Sequence, residues 1–127
     1  MASFMKSQDG VRVFCVWSEG NPEVSLTQLE THIKHGLVNP DDFDRAVLCY
    51  EGLTVHKNAE DPAGYPLKFK PTNESKYAFE VWISGVSTGY DGSGPRCAVK
   101  ALKRMGFEVS EKDIFELPAG DEKWFYK

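Results

Sequence analysis

Residues 67–83 read LKFKPTNESKYAFEVWI, and this stretch decides the fold. Leu67 and Phe69 alternate with Lys68 and Lys70, the period of a strand with one wet face. Pro71 to Ser75 turns the chain. Tyr77, Phe79, Val81 and Ile83 then fall on one face of a second, longer strand. No helix separates the two runs, so they are joined by a turn rather than by the helical crossover that a parallel pair needs.

Upstream, Ala46–Tyr50 and Leu53–His56 read as two strands around Glu51-Gly52, a hairpin pattern. Lys57 to Pro66, with two prolines and a glycine, is the longest loop. Asn39–Asp44 is a turn or short helical turn. Val11–Ser18 (VRVFCVWS) is apolar on nearly both faces and rich in β-branched and aromatic residues, the pattern of a central strand. Ser25 starts a helix, with Gln28 completing a capping box. Leu26, Leu29, Ile33 and Leu37 recur at helical spacing, and Gly36 stops that helix.

Downstream, a helix runs from about Pro95 to Met105 and Gly106 ends it. Ser110–Asp113 is a single helical turn, Ile114–Leu117 follows, and Lys123–Tyr126 closes the chain as an edge strand. Met1 to Gly10 has no apolar run suited to a signal peptide, and residues 1–9 read as a flexible N-terminus. There is no internal repeat and no dividing linker. The chain is therefore expected to be one compact α+β domain over residues 1–127. A mainly antiparallel sheet of about five to seven strands would carry two principal helices on one face.

The 127 residues carry fifteen Lys and Arg against nineteen Asp and Glu, a net charge of −4. An acidic total argues against a general nucleic-acid binder, which carries a net basic face. No window reaches a membrane span. Cys15, Cys49 and Cys97 are odd in number and lack a CxxC pair, which suits a reducing compartment and a cytoplasmic location.

One segment points to chemistry. After Val86 the chain reads Ser87-Thr88-Gly89-Tyr90-Asp91-Gly92-Ser93-Gly94-Pro95-Arg96. Its three glycines let the backbone approach a ligand. Pro95 suits the first position of the helix, whose free amides and dipole then form an anion site. That helix carries Arg96, Lys100, Lys103 and Arg104 and no acid, so the remaining eleven cations and nineteen acids stand at −8. The expected site is Tyr90, Asp91, Gly92, Ser93, Gly94, Arg96 and Lys100, with Trp82 on the preceding strand. The glycine amides hold phosphate, Arg96 forks onto it, and Tyr90 or Trp82 stacks on a base. The spacing GxxGxG matches neither the P-loop nor the dinucleotide fingerprint, and glycine turns before helices also serve plain structure.

Other constellations are weaker. Cys97 near a helix start and beside cations would have a lowered thiol pKa but lacks a base, and buried packing is the better account of it. His32 and His35 at i, i+3, with His56 or Asp41, Asp42 and Asp44, lack a metal-binding motif. Asp41, Asp42, Glu111 and Asp113 read as helix caps. No catalytic set, metal site or cofactor is expected.

The sequence thus favours a non-catalytic binding protein for a small anionic, nucleotide-like ligand, and a homodimer sharing the site. A protein that sequesters a nucleotide signal, as in bacterial and phage conflict systems, would need little more. The alternative is an acidic inhibitor or immunity-type protein that blocks a larger basic partner. Phe43, Tyr65, Trp124 and Tyr126 would then form its contact surface.

Overall fold

The computed structural model describes residues 2–52, 58–73 and 78–127. Six strands form one sheet: β1 (Ala2–Gln8), β2 (Val11–Trp17), β3 (Phe43–Cys49), β4 (Leu67–Pro71), β5 (Glu80–Ile83) and β6 (Glu122–Tyr126). Three helices accompany them: α1 (Pro22–Lys34), α2 (Ser93–Arg104) and the short α3 (Glu111–Phe115). The sheet order is β1-β2-β5-β4-β3-β6. All neighbours are antiparallel except β2 and β5, which run parallel. The fold is α+β, as the alternating runs predict.

The N-terminus corrects the sequence reading. Residues expected to be flexible form β1, paired along its length with β2 from Ala2↔Trp17 to Gln8↔Val11. The connection is Asp9-Gly10, both at positive φ (52° and 81°). This is the backbone of a two-residue hairpin turn, whose twist matches that of the flanking strands.

Helix starts also differ. Asn21 caps α1, its Oδ1 accepting from the Val24 amide at 3.2 Å, and Pro22 takes the first turn, where its missing N–H costs nothing. Ser25 lies inside the helix and is buried, while the Gln28 side chain accepts from Ser3 Oγ at 2.5 Å. Gly36 (φ +79°) does reverse the chain. The Leu37 amide then reaches the His32 carbonyl at 2.9 Å, which ends the helix in a Schellman-type turn. Leu37 itself turns outward and Val38 takes the buried place. α2 begins two residues before Pro95.

One face of the sheet is covered by helices. Phe14, Val16, Val81, Ile83, Leu67, Phe69, Ala46, Leu48 and Phe125 meet Leu29 of α1 and Ala98, Val99 and Leu102 of α2. Full burial of one leucine such as Leu102 contributes roughly 2 kcal/mol, so this apolar layer holds the helices to the sheet. Among the described residues, no α-helix packs on the opposite face. Val13, Cys15, Tyr65 and Trp82 form a smaller cluster there, flanked by Phe4 and Trp17. Tyr77 and the Leu53–His56 strand lie outside the described residues. Among the described residues, no helix is long and apolar enough to cross a membrane.

Candidate functional site

Parallel strands send their following loops out of the same sheet edge. The loops after β2 (Ser18–Asn21) and β5 (Ser84–Gly92) therefore meet, although far apart in sequence, and lead into α1 and α2. Buried serines fasten them. The Ser18 amide donates to Ser84 Oγ at 2.8 Å, and Ser25 Oγ donates to Ser18 Oγ at 2.6 Å. Gly85 (φ +84°) sits in this seam, where a Cβ would stand 2.8 Å from Ser18 Oγ and 3.0 Å from the Asn21 carbonyl carbon.

Above the seam opens a crevice of about 620 Å³. Its polar lining includes Ser84, Ser87, Ser93 and backbone at Gly85 and Gly94, and its aromatic walls are Trp17, Tyr50 and Tyr90. Crevices outside the carboxyl ends of parallel strands are the usual ligand sites of α/β sheets. Pro22 and Ser93, at the starts of α1 and α2, both line this one. Asn21 caps α1 and Ser110 caps α3, but α2 has Gly92 at its cap and no side-chain hydrogen bond there. The first amides of α2 thus face the crevice without a capping side chain, and the helix dipole adds partial positive charge.

The loop is braced from within. Ser87 Oγ and Tyr90 Oη lie 2.8 Å apart, which fixes the Tyr90 ring over Gly92. A Cβ on Gly92 would meet that ring at 2.5 Å, and one on Gly94 would overlap Ser87 Oγ. These two glycines serve close packing; neither has positive φ. The Tyr50 hydroxyl ionises above the ordinary range for tyrosine, because burial and then the nearby Tyr90 disfavour its charge.

Of the residues expected from sequence, Tyr90, Ser93 and Gly94 line the crevice. Gly92 supports it from beneath. Asp91 and Arg96 do not line it: their exposed side chains pair with each other at 2.6 Å. The pair explains how an acid sits in an otherwise positive segment. Lys100 lies a turn further along α2 and is exposed. Trp82 is corrected outright. Its strand position points it to the helix-free face, where it is 5% exposed and donates to Glu80 Oε1 at 2.8 Å.

Sequence reasoning missed Trp17, Glu19, Tyr50 and Glu51. Among the described lining residues, Glu19 and Glu51 are the charged ones, and no lysine or arginine is present. The only advance signal was the break Glu19-Gly20-Asn21-Pro22, which marks a βα loop without saying which other loop it meets.

The weaker constellations resolve toward structure. Cys97 is buried, and burial pushes its thiol up, outweighing the opposite pull of Lys100. His32 packs against Phe14 at 4.8 Å and its Nε2 lies 2.9 Å from Ser3 Oγ. Among the described residues, no three His, Cys, Asp or Glu side chains gather as metal ligands. Phe43 and Tyr65, two of the four aromatics assigned to a partner surface, are core residues, whereas Trp124 and Tyr126 are exposed. Comparison with family models, curated proteins and solved structures finds no match for the chain. Its site is read from its own geometry.

Proposed function

We propose that the protein is a non-catalytic binding module for a small nucleotide-like ligand carrying one anionic group, held in the crevice between β2, β5 and α2. The observation that carries this reading is the uncapped N-terminus of α2 opening into a crevice at the ends of two parallel strands. A phosphate fits against the amides of Ser93 and Gly94, a geometry that favours anions without any cationic side chain. Tyr90, Tyr50 and Trp17 offer ring faces for a base. Glu19 and Glu51 suit the hydroxyls of a ribose, the role an acidic residue plays in dinucleotide folds. Two carboxylates and no cation among the described lining residues disfavour a triphosphate, so the ligand is nearer a nucleoside monophosphate. Sequestration of such a molecule needs no more than this, and a second copy closing the open mouth would make a symmetric dimer.

Isothermal titration with the four common nucleoside monophosphates, the matching triphosphates and the nucleosides tests the reading, with light scattering for the dimer. A monophosphate should bind more tightly than its triphosphate and its nucleoside. Tyr90→Ala should weaken it by about tenfold, the typical cost of one lost stacking partner. Arg96→Ala should leave affinity within about twofold, since that side chain is paired with Asp91 outside the crevice. Absence of heat and of thermal stabilisation with every monophosphate would refute the proposal.

A further inference from the structure

β6 lies at the rim of the sheet, and among the described residues it pairs with β3 alone. The Lys127 amide donates to the Asp44 carbonyl at 3.1 Å and so points at β3. Alternation along an antiparallel strand then turns the backbone of Lys123 and Phe125 toward β3. The backbone of Glu122, Trp124 and Tyr126 turns away from it. Such a row of unpaired N–H and C=O groups is a template for another strand. β6 lacks two common guards of an edge: Glu122–Tyr126 holds no proline, and its register with β3 runs without a bulge.

The side chains along that edge are costly to leave in water. Trp124 and Tyr126 are 39% and 66% exposed and stack with ring centroids 6.3 Å apart. Glu122 Oε2 accepts from Trp124 Nε1 at 3.1 Å, which satisfies the one polar atom of the indole and leaves an apolar ring. Phe125, between the two rings, points the other way into the core. At the opposite rim, β1 presents Met5 and no exposed ring among its described residues. The two edges of the sheet are therefore unlike, and β6 is the one built to be covered.

We infer that the chain forms a symmetric dimer by antiparallel pairing of β6 with β6 of a second copy, Trp124 opposite Trp124. A two-fold axis perpendicular to the sheet keeps like faces together and allows only registers centred on a single residue. Centring on Trp124 pairs all three outward-facing residues, with Glu122 opposite Tyr126 of the second copy. It also sets Asp121 opposite Lys127, an opposite-charge pair repeated by symmetry. Centring on Lys123 would set Lys123 against itself, and centring on Phe125 would set Lys123 against Lys127. Both put like charges face to face, which is destabilising. The strand is thus complementary to itself in one register, which an unrelated strand has no reason to match. The rings of the two copies then close into one apolar row on the helix-free face. None of Glu122–Tyr126 lines the crevice, so this pairing is independent of a ligand there.

Sedimentation equilibrium of the nucleotide-free chain, over a dilution series from millimolar to nanomolar, tests the inference. One short strand from each copy makes a small interface, so the dimer should form at high concentration and dissociate on dilution. Trp124→Lys sets two lysines against each other at the axis and should raise the dissociation constant by about thirtyfold or more. Asp121→Lys and Lys127→Glu should each weaken self-association by roughly fivefold, and an equimolar mixture of the two should recover the native level as a heterodimer. Circular dichroism checks that every variant folds. Four results would each overturn the inference: a monomer at every concentration, a dimer indifferent to Trp124→Lys, a mixture no tighter than either charge variant alone, or a dimer that forms only with a nucleoside monophosphate. The last would place the interface at the crevice mouth instead.

Discussion

Replacing Gly85 by alanine should loosen the seam beneath the crevice. The backbone there has φ +84°, and a left-handed conformation costs an L-residue roughly 1–2 kcal/mol. The new Cβ would also stand 2.8 Å from Ser18 Oγ and 3.0 Å from the Asn21 carbonyl carbon. The second neighbour is backbone and cannot swing aside. Displacing Ser18 breaks its bonds with Ser84 and Ser25, at about 1 kcal/mol each. The expected loss is then about 3–4 kcal/mol, a large part of a typical domain's stability, and melting should fall by roughly 10–15 °C. Gly20→Ala is the matched control: φ is +88° but nothing lies within 4 Å of its Cβ, so only the conformational cost applies. Urea denaturation of both variants, followed by tryptophan fluorescence, reads the difference, expected near 2 kcal/mol. Equal midpoints for the two would refute the claim that the loops are rigidly interlocked.

Lys70→Met removes one of two partners from the largely buried Glu80 and should cost about 1–3 kcal/mol, with adding Glu80→Gln recovering part of it in thermal denaturation. His32 holds its proton less readily in the folded chain, through burial and then the charge of His35. The unfolded chain therefore binds that proton more readily. The contribution of His32 is intact above about pH 6.5 and is lost as pH falls through that value. Urea midpoints at mildly acid pH should drop, and less so in His32→Gln. Burial raises the thiol pKa of Cys15, Cys49 and Cys97. Cys49 is the one partly open to solvent, so iodoacetamide should label it first in the native protein. First labelling at Cys97 would instead indicate a thiolate activated by α2.

The elements built on local periodicity were legible in the sequence. Leu26, Leu29 and Ile33 mark the inner face of α1, Leu67 and Phe69 mark β4, and Ser110 marks the start of α3. The first strand was missed because Met1–Gly10 has no β-branched residue and its Phe4 and Met5 are adjacent rather than alternating. Its signal was Asp9-Gly10, a dipeptide suited to a hairpin turn, rather than hydrophobicity. The site was half legible. Gly94 and Tyr90 lie in a loop that local rules identify, but Trp17 and Glu19 join them only through the parallel pairing of β2 with β5. No pattern within either segment encodes that pairing. Trp82 failed for a simpler reason. It neighbours the glycine loop in sequence, but alternation along β5 turns it to the opposite face from Val81 and Ile83.

The Ser18–Ser84 bond joins residues 66 apart in the chain. Closing so long a loop costs entropy before any contact rewards it, and such pairings form late in folding. The β1–β2 hairpin can form early from its own turn, and the α2 helix from its own apolar stripe. The crevice exists only after β5 docks beside β2. A nascent or partly unfolded chain would therefore have helices and hairpins yet hold no ligand in the crevice. A molecule that fits there would act on the last step of assembly, slowing unfolding while leaving the early steps of folding untouched.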